Sequence, residues 1–304
     1  MKKALDYMGL VAAMLLWGAT YIWSKTVFGF YNPLETIFIR VLAATLTLSL
    51  WRHLFSARQT IAGQDRKLIL LLSFLQPFLY FIGENYGLFY ASATVAAVFI
   101  GIIPIVSMLL GKWFNKQPLG LGAICGALVS FIGVILVILS DNWSLELKAL
   151  GGLGLLLAVL SGSCYGLLVI RLGGRYSAMT LVYLQNRNSL LFFTPLILLF
   201  NPDLFTKSPP FSVTVNLLAL TLFGSVAAFA LFNHGIASLG MAKAYSFSNL
   251  IPVFTAVFAN LFLAERLHWY NMLGVLAVVC GLFLVNWRLD SGVNPSSRTI
   301  APQP

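Results

Sequence analysis

Few side chains in this sequence can do chemistry, and several of those few stand where a charge is expensive. Glu84, Arg40 and Arg187 fall inside long apolar runs. A charge in hydrocarbon costs about 3 kcal/mol on insertion scales, so each calls for a partner. Arg40 lies about seven residues into its run and Glu84 about six from the end of its own, which at the α-helical rise puts them at similar depths of about 10 and 9 Å. A salt bridge between them is feasible. It reads either as a static ion pair or as an external gate, with Glu84 free in the second case to bind a proton or a substrate amine. Arg187 has no such acid: its neighbours are Gln185, Asn186 and Asn188. It either bonds those amides and nearby carbonyls or holds a substrate carboxylate.

Other polar residues form stripes. Trp17, Tyr21 and Lys25 recur at i, i+4 and i+8, as do Gln76, Tyr80 and Glu84, so each set shares a helix face. Tyr245 and Asn249 stand one turn before Pro252, and Asn233 is followed by His234. Trp17, Tyr21, Tyr80, Glu84, Asn85, Tyr165, Arg187, Asn233, His234, Tyr245 and Asn249 are the candidate substrate-binding set. A wall of Trp and Tyr with amides and one carboxylate suits an amphipathic organic solute better than a bare ion. The plainer alternative is packing, with aromatics as interface anchors and Asn bonding between helices. Pro104 and Pro252 would each remove a helix hydrogen bond, giving either gating joints, with Arg40 and Glu84 as the gate, or tolerated kinks. Asn32-Pro33-Leu34-Glu35 reads as a helix start closed by its own acid. Lys25 snorkels, and Lys243 belongs to a charge bias described below. Gly122 and Gly126 make a small-residue face, for packing within the fold or for a dimer, so monomer and homodimer both stay open.

Catalysis finds no support. There is no His/Glu metal motif, no Ser-His or Cys-His arrangement and no nucleotide loop. Cys125, Cys164 and Cys280 lie inside apolar runs without ligand spacing. The expectation is a protein that is not an enzyme and uses no cofactor or metal.

The elements that must position these residues follow from composition. Of 304 residues, 59% are apolar or aromatic and 9% charged, against about 25% charged in soluble proteins. The surrounding medium is therefore lipid. The apolar runs are 5–28, 33–51, 68–90, 92–114, 118–139, 150–171, 178–200, 213–237, 241–263 and 268–288. Each is long and lacks period-2 alternation, so the expected fold is all-α, with ten transmembrane helices. Residues 290–304 read as a disordered tail. The net charge of +10 does not mark a nucleic-acid binder, because the basic residues cluster at the ends of runs. Counting Lys and Arg in the connections puts thirteen on the side of both termini and three on the other. The positive-inside rule then makes both termini cytoplasmic, in a cell (inner) membrane.

The chain also repeats. A shift of 148 residues brings Trp17-Gly18 onto Tyr165-Gly166, Asn85 and Gly87 onto Asn233 and Gly235, Ile103-Pro104 onto Ile251-Pro252, and Leu119, Gly126 and Gly133 onto Leu267, Gly274 and Gly281. The units are 1–143 and 149–289. Each holds five helices, an odd number, so the second must enter the membrane from the opposite face. Such inverted repeats are a plan of secondary transporters, with the substrate site near the midplane between the copies.

Trp17-Gly18-Ala19-Thr20 with Lys25, Pro33 with Arg40, Pro104, Pro252, and Ala264-Glu265-Arg266-Leu267 together resemble an EamA-type member of the drug/metabolite transporter superfamily, over residues 5 to 288. Repeat 1 departs from that pattern, with Lys116-Gln117-Pro118 where the Glu-Arg pair usually stands. The resemblance implies a carrier of small metabolites, often amino acids and often outward, with a cavity lined largely by helices 1, 3, 4, 6, 8 and 9. The expected partners are a small-molecule solute, the lipid bilayer and, under the Glu84 reading, protons as coupling ion. The alternatives are a channel, a lipid-handling protein, or a carrier of phosphorylated or nucleotide-type metabolites. The last would want more buried cations than Arg187 alone.

Overall fold

The structure is a computed structural model that describes residues 2–55, 59–115, 121–140, 145–239, 244, 247–248, 250–265 and 268–287. Among them every regular element is helical. In chain order these are α1 (Lys2–Val27), α2 (Pro33–Phe55), α3 (Arg66–Ser73), α4 (Tyr80–Tyr90), α5 (Ala93–Ile100), α6 (Ile103–Asn115), α7 (Leu121–Ser140), α8 (Leu145–Gly173), α9 (Ala178–Phe200), α10 (Phe211–Ala219), α11 (Ala228–Leu239), α12 (Leu250–Phe262) and α13 (Trp269–Trp287). Wide, π-type turns join α3 to α4 over Phe74–Leu79 and α10 to α11 over Leu220–Ala227. Five described stretches are long and apolar enough to cross a membrane: 4–27, 33–54, 63–90, 149–169 and 211–239.

The breaks have local causes. Pro77 cannot donate to the helix ladder, and Gln76 before it is extended (φ −149°, ψ 123°), as a residue preceding proline tends to be. The run 92–114 is not one helix but two, parted between Ile100 and Ile103. Pro104 therefore occupies the first turn of α6, and Pro252 the first turn of α12, where the missing N–H leaves no internal bond unmade. The interior kinks expected at both prolines are thus helix starts. Asn32 and Glu35 form the expected reciprocal cap on α2: Glu35 N–H donates to Asn32 Oδ1 (3.0 Å), and Asn32 N–H to Glu35 Oε2 (2.9 Å).

Packing relates the two halves. α7 lies along α13, α2 along α9 and α5 along α12. A shift of 148 residues maps α2–α9 and α7–α13 each onto itself. The pair α4–α8 maps onto α11–α1, and α6–α8 onto α12–α1, and all four pairs are in contact. Small residues set the closest approaches. A methyl at Gly133 would stand 2.6 Å from Gly274 O and 2.8 Å from Val278 N, and one at Gly281 2.5 Å from Gly126 O and 2.7 Å from Ser130 N. Polar ties join the two halves at two places. At one, Lys207 bonds Glu35 and Asp203. At the other, Asp65 takes Arg175 (2.9 Å) and the Tyr176 hydroxyl (2.8 Å).

Candidate functional site

The two wide turns stand at repeat-equivalent places, since Gln76 and Gly224 are 148 residues apart, and they flank a cavity of about 70 Å³. α1 contributes Trp17, Thr20 and Tyr21 to its wall, α2 Arg40, and the α3–α4 helix Gln76, Tyr80, Phe81 and Glu84. Ile100 and Ile103 reach it from the α5–α6 junction, Gly162 and Tyr165 from α8, Phe229 and Phe232 from α11, and Ser248 and Ile251 from the start of α12. Both repeats build the wall. The helices are those the resemblance implied, with α2 added through Arg40.

The acid is held by phenols. Tyr80 and Tyr21 both donate to Glu84 Oε1, at 2.9 and 3.3 Å. Tyr80 is one turn before Glu84, so the shorter bond follows from the i, i+4 spacing. Tyr21 comes from another helix, brought in by the α1–α4 contact. Arg40, 3% exposed, donates from Nε to Ser225 Oγ, and its guanidinium stacks on Phe81 at 4.3 Å. Among the described residues the expected Arg40–Glu84 bridge is therefore not a direct contact: both groups face one cavity through other partners. Trp17 donates from Nε1 to Gly224 O (3.2 Å) and packs edge-on against Phe229 and Phe232. Tyr165, the repeat image of Trp17, donates to Gln185 Oε1 (3.1 Å).

Of the candidate set, Trp17, Tyr21, Tyr80, Glu84 and Tyr165 line the cavity together with Arg40. Asn85 is buried elsewhere, donating to Phe81 O (2.9 Å). Asn233 is buried in α11, off the cavity wall. Arg187 faces outward and bonds Asn188 Oδ1 (3.1 Å), the amide partner expected for it. His234 is exposed and meets Asp6 at 3.2 Å, near the start of α1. Tyr245 and Asn249 lie outside the described residues. Pro104 and Pro252 are buried, and Pro252 packs on Gly101. Phe81, Phe229, Gly224 and Ser225 belong to no polar stripe and carry no charge that could have marked them, and Thr20 stands out only within Trp17-Gly18-Ala19-Thr20. The 148-residue match of Gly224 to Gln76, a cavity residue in repeat 1, is the one signal pointing to that turn.

Glu265, intact in repeat 2 where repeat 1 has Gln117, lies at the other end of α5. It accepts from Ala93 N–H (2.9 Å) and the Thr94 hydroxyl (3.0 Å), closing the first turn of that helix. Among the described residues no group of three His, Cys, Asp or Glu could hold a metal ion.

Residues 5–139 and 149–287 each match the EamA-like transporter family. An uncharacterized transporter of Synechocystis is 26% identical, over 92% of this chain and 89% of its own length. The uncharacterized transporter YetK of Bacillus subtilis is 23% identical, over 93% and 87%. A chloroplastic WAT1-related protein of Arabidopsis thaliana is 23% identical, over 93% and 70%. A solved crystal structure, 13% identical, superposes with a TM-score of 0.69 over 92% of this chain and 97% of its own, a likeness of fold.

Proposed function

This chain belongs to the EamA-like transporter family, within the drug/metabolite transporter superfamily, and from that premise we propose that it exports small amphipathic metabolites, amino acids foremost, by alternating access. The cavity carries the reading: one guanidinium and one carboxylate face a shared hollow whose other walls are mostly aromatic and aliphatic. Trp17, Tyr21, Tyr80 and Tyr165 would pack on an organic side group, and Glu84 would take an amine or a proton. Among the described residues a single cation faces the cavity, which argues against phosphorylated solutes.

The self-mapping contacts of α2–α9 and α7–α13 support two antiparallel five-helix units, 1–143 and 149–289. In this reading ten spans cross the inner membrane with both termini in the cytoplasm, and the halves rock about the cavity. The mouth would be governed by the junctions before Pro104 and Pro252, and Arg40 and Glu84 would change partners as it opens. In this reading uphill export draws on an ion gradient, with Glu84 as the proton site.

The test is counterflow in proteoliposomes. Purified full-length protein, loaded with unlabelled amino acid, should accumulate labelled amino acid transiently. A panel of amino acids that gives no trans-stimulation, with the protein folded and inserted, refutes the substrate class. Flux without trans-stimulation refutes the carrier reading in favour of a channel.

A further inference from the structure

Arg40 is buried, yet most of its hydrogen-bonding capacity is unspent. A guanidinium has five N–H donors. Nε donates to Ser225 Oγ, while among the described residues neither terminal nitrogen has an acceptor. Those donors remain available to an acceptor that can reach them. The group lines the cavity, so the side on which an acceptor can arrive is the cavity itself.

Its placement is built by both repeats. The guanidinium Cζ lies over the Phe81 ring, 4.3 Å from its centre. Nη2 comes up to Gly224, where a methyl would lie 3.1 Å from it and 2.6 Å from Thr20 Cγ2. Only a residue without Cβ leaves that space. Ser225 therefore holds the stem of the fork at Nε, and Phe81 and Gly224 lie close against its head. The two terminal nitrogens are left as a planar pair, the arrangement that matches a carboxylate on two parallel bonds.

We propose that Arg40 is the anion-recognising group of the cavity, taking a solute carboxylate on its terminal nitrogens, and that Gly224 and Ser225 are its positioning residues. Glu84 limits the charge of the guest: a carboxylate facing the same hollow disfavours a dianion and favours a solute that carries one negative group. Arg187, the other intramembrane arginine, faces outward on Asn188 and does not share this role. The proposal rests on the transport reading only for its consequence in flux; the binding it asserts can be measured alone.

The test uses purified full-length protein and two isosteric probes, benzoate and benzamide, with thermal unfolding as readout. Benzoate should stabilise the wild type saturably, and benzamide at least about tenfold less effectively, as expected for loss of a charge-assisted pair. Arg40→Gln should abolish the preference for benzoate while leaving any benzamide effect. Ser225→Ala should raise the apparent Kd for benzoate several-fold and leave that for benzamide unchanged, which a merely structural role for Ser225 would not do. Arg40→Lys keeps the charge without the fork, and should bind benzoate weakly. If Arg40→Gln does not fold, Ser225→Ala and Arg40→Lys decide. Equal effects of the two probes on the wild type, no effect of either, or a benzoate preference that survives these substitutions overturns the proposal. Carboxylate binding without counterflow refutes the transport reading alone, and counterflow indifferent to a solute carboxylate refutes this inference alone.

Discussion

Replacing Gly133 by alanine adds one methyl at the place where α7 and α13 touch backbone to backbone. The methyl would stand 2.6 Å from Gly274 O and 2.8 Å from Val278 N. Ordinary contact begins near 3.4 Å, so α7 must withdraw by about 0.8 Å, and neither neighbour is a flexible side chain that could yield instead. The same withdrawal would lengthen the Ser130 Oγ–Val278 O bond, now 3.2 Å, beyond useful range. Overpacking of this kind costs about 1–3 kcal/mol, set against a gain of up to about 1 kcal/mol from helix propensity. The net expectation is a loss of about 1–2 kcal/mol. Gly152 of α8 is the control, because a methyl there meets nothing within 4 Å; Gly152→Ala should be neutral or stabilising. Gly281 is the repeat image of Gly133, with backbone at 2.5 and 2.7 Å, and Gly281→Ala should match Gly133→Ala in size. One retreat of α7 from α13 relieves both clashes, so the double variant should lose less than the sum, by about 1 kcal/mol. Thermal unfolding of the purified variants in detergent reads all four. If Gly133→Ala and Gly281→Ala behave like Gly152→Ala, or if one is far more harmful than the other, the reasoning from a two-fold related backbone contact fails.

Glu84→Gln removes the cavity carboxylate but keeps its shape; counterflow should fall and lose its pH dependence, and an unchanged pH profile would exclude Glu84 as the proton site. Tyr80→Phe should slow counterflow more than Tyr21→Phe, because the Tyr80 bond to Glu84 is 2.9 Å and the Tyr21 bond 3.3 Å; the reverse order would count against the phenols orienting the acid. Lys207 lies outside the spanning segments, where its hydrogen bond to Glu35 holds the ammonium above its usual 10.5, against partial desolvation and with help from Asp203. A raised folded value stabilises below the unfolded value and is lost as pH climbs through the folded one. Lys207→Met should therefore lower the melting temperature at pH 7, and the gap to wild type should shrink only above about pH 10.5; a gap that vanishes already near pH 7 would refute the tie. Glu265→Ala should speed hydrogen exchange at the first amides of α5, by about 1 kcal/mol of lost capping, and unchanged protection there would show that another group closes the helix.

Much of the architecture was legible because lipid imposes it. The composition demanded helices long enough to cross a bilayer, and the shared Asn, Gly and Pro at one offset marked two related halves. The stripe of Gln76, Tyr80 and Glu84 was read from periodicity and does face the cavity, although Gln76 departs from helical geometry. Of the stripe Trp17, Tyr21 and Lys25, the first two do the same. Charge alone was a poorer guide. Arg40 and Arg187 look alike as arginines inside long apolar runs, yet one is buried beside Ser225 and the other bonds its neighbour Asn188 on an outward face. Asn85 was a fair candidate by type, but its amide reaches its own helix at Phe81 O.

The sequence by itself determined the medium, the helical class, the doubling and the family resemblance, since each depends on residue type and spacing along one chain. Only the tertiary structure decided which side chains meet. The wide turns at Phe74–Leu79 and Leu220–Ala227 re-aim the residues that follow them, and the breaks before Pro104 and Pro252 turn expected kinks into helix starts. Arg40 is 185 residues from Ser225 and Trp17 207 from Gly224. Neither Gly224 nor Ser225 carries a charge or an aromatic ring. Their part in the cavity comes from a missing Cβ and one hydroxyl set against a particular neighbour, and a contact of that kind exists only once the two halves have packed together.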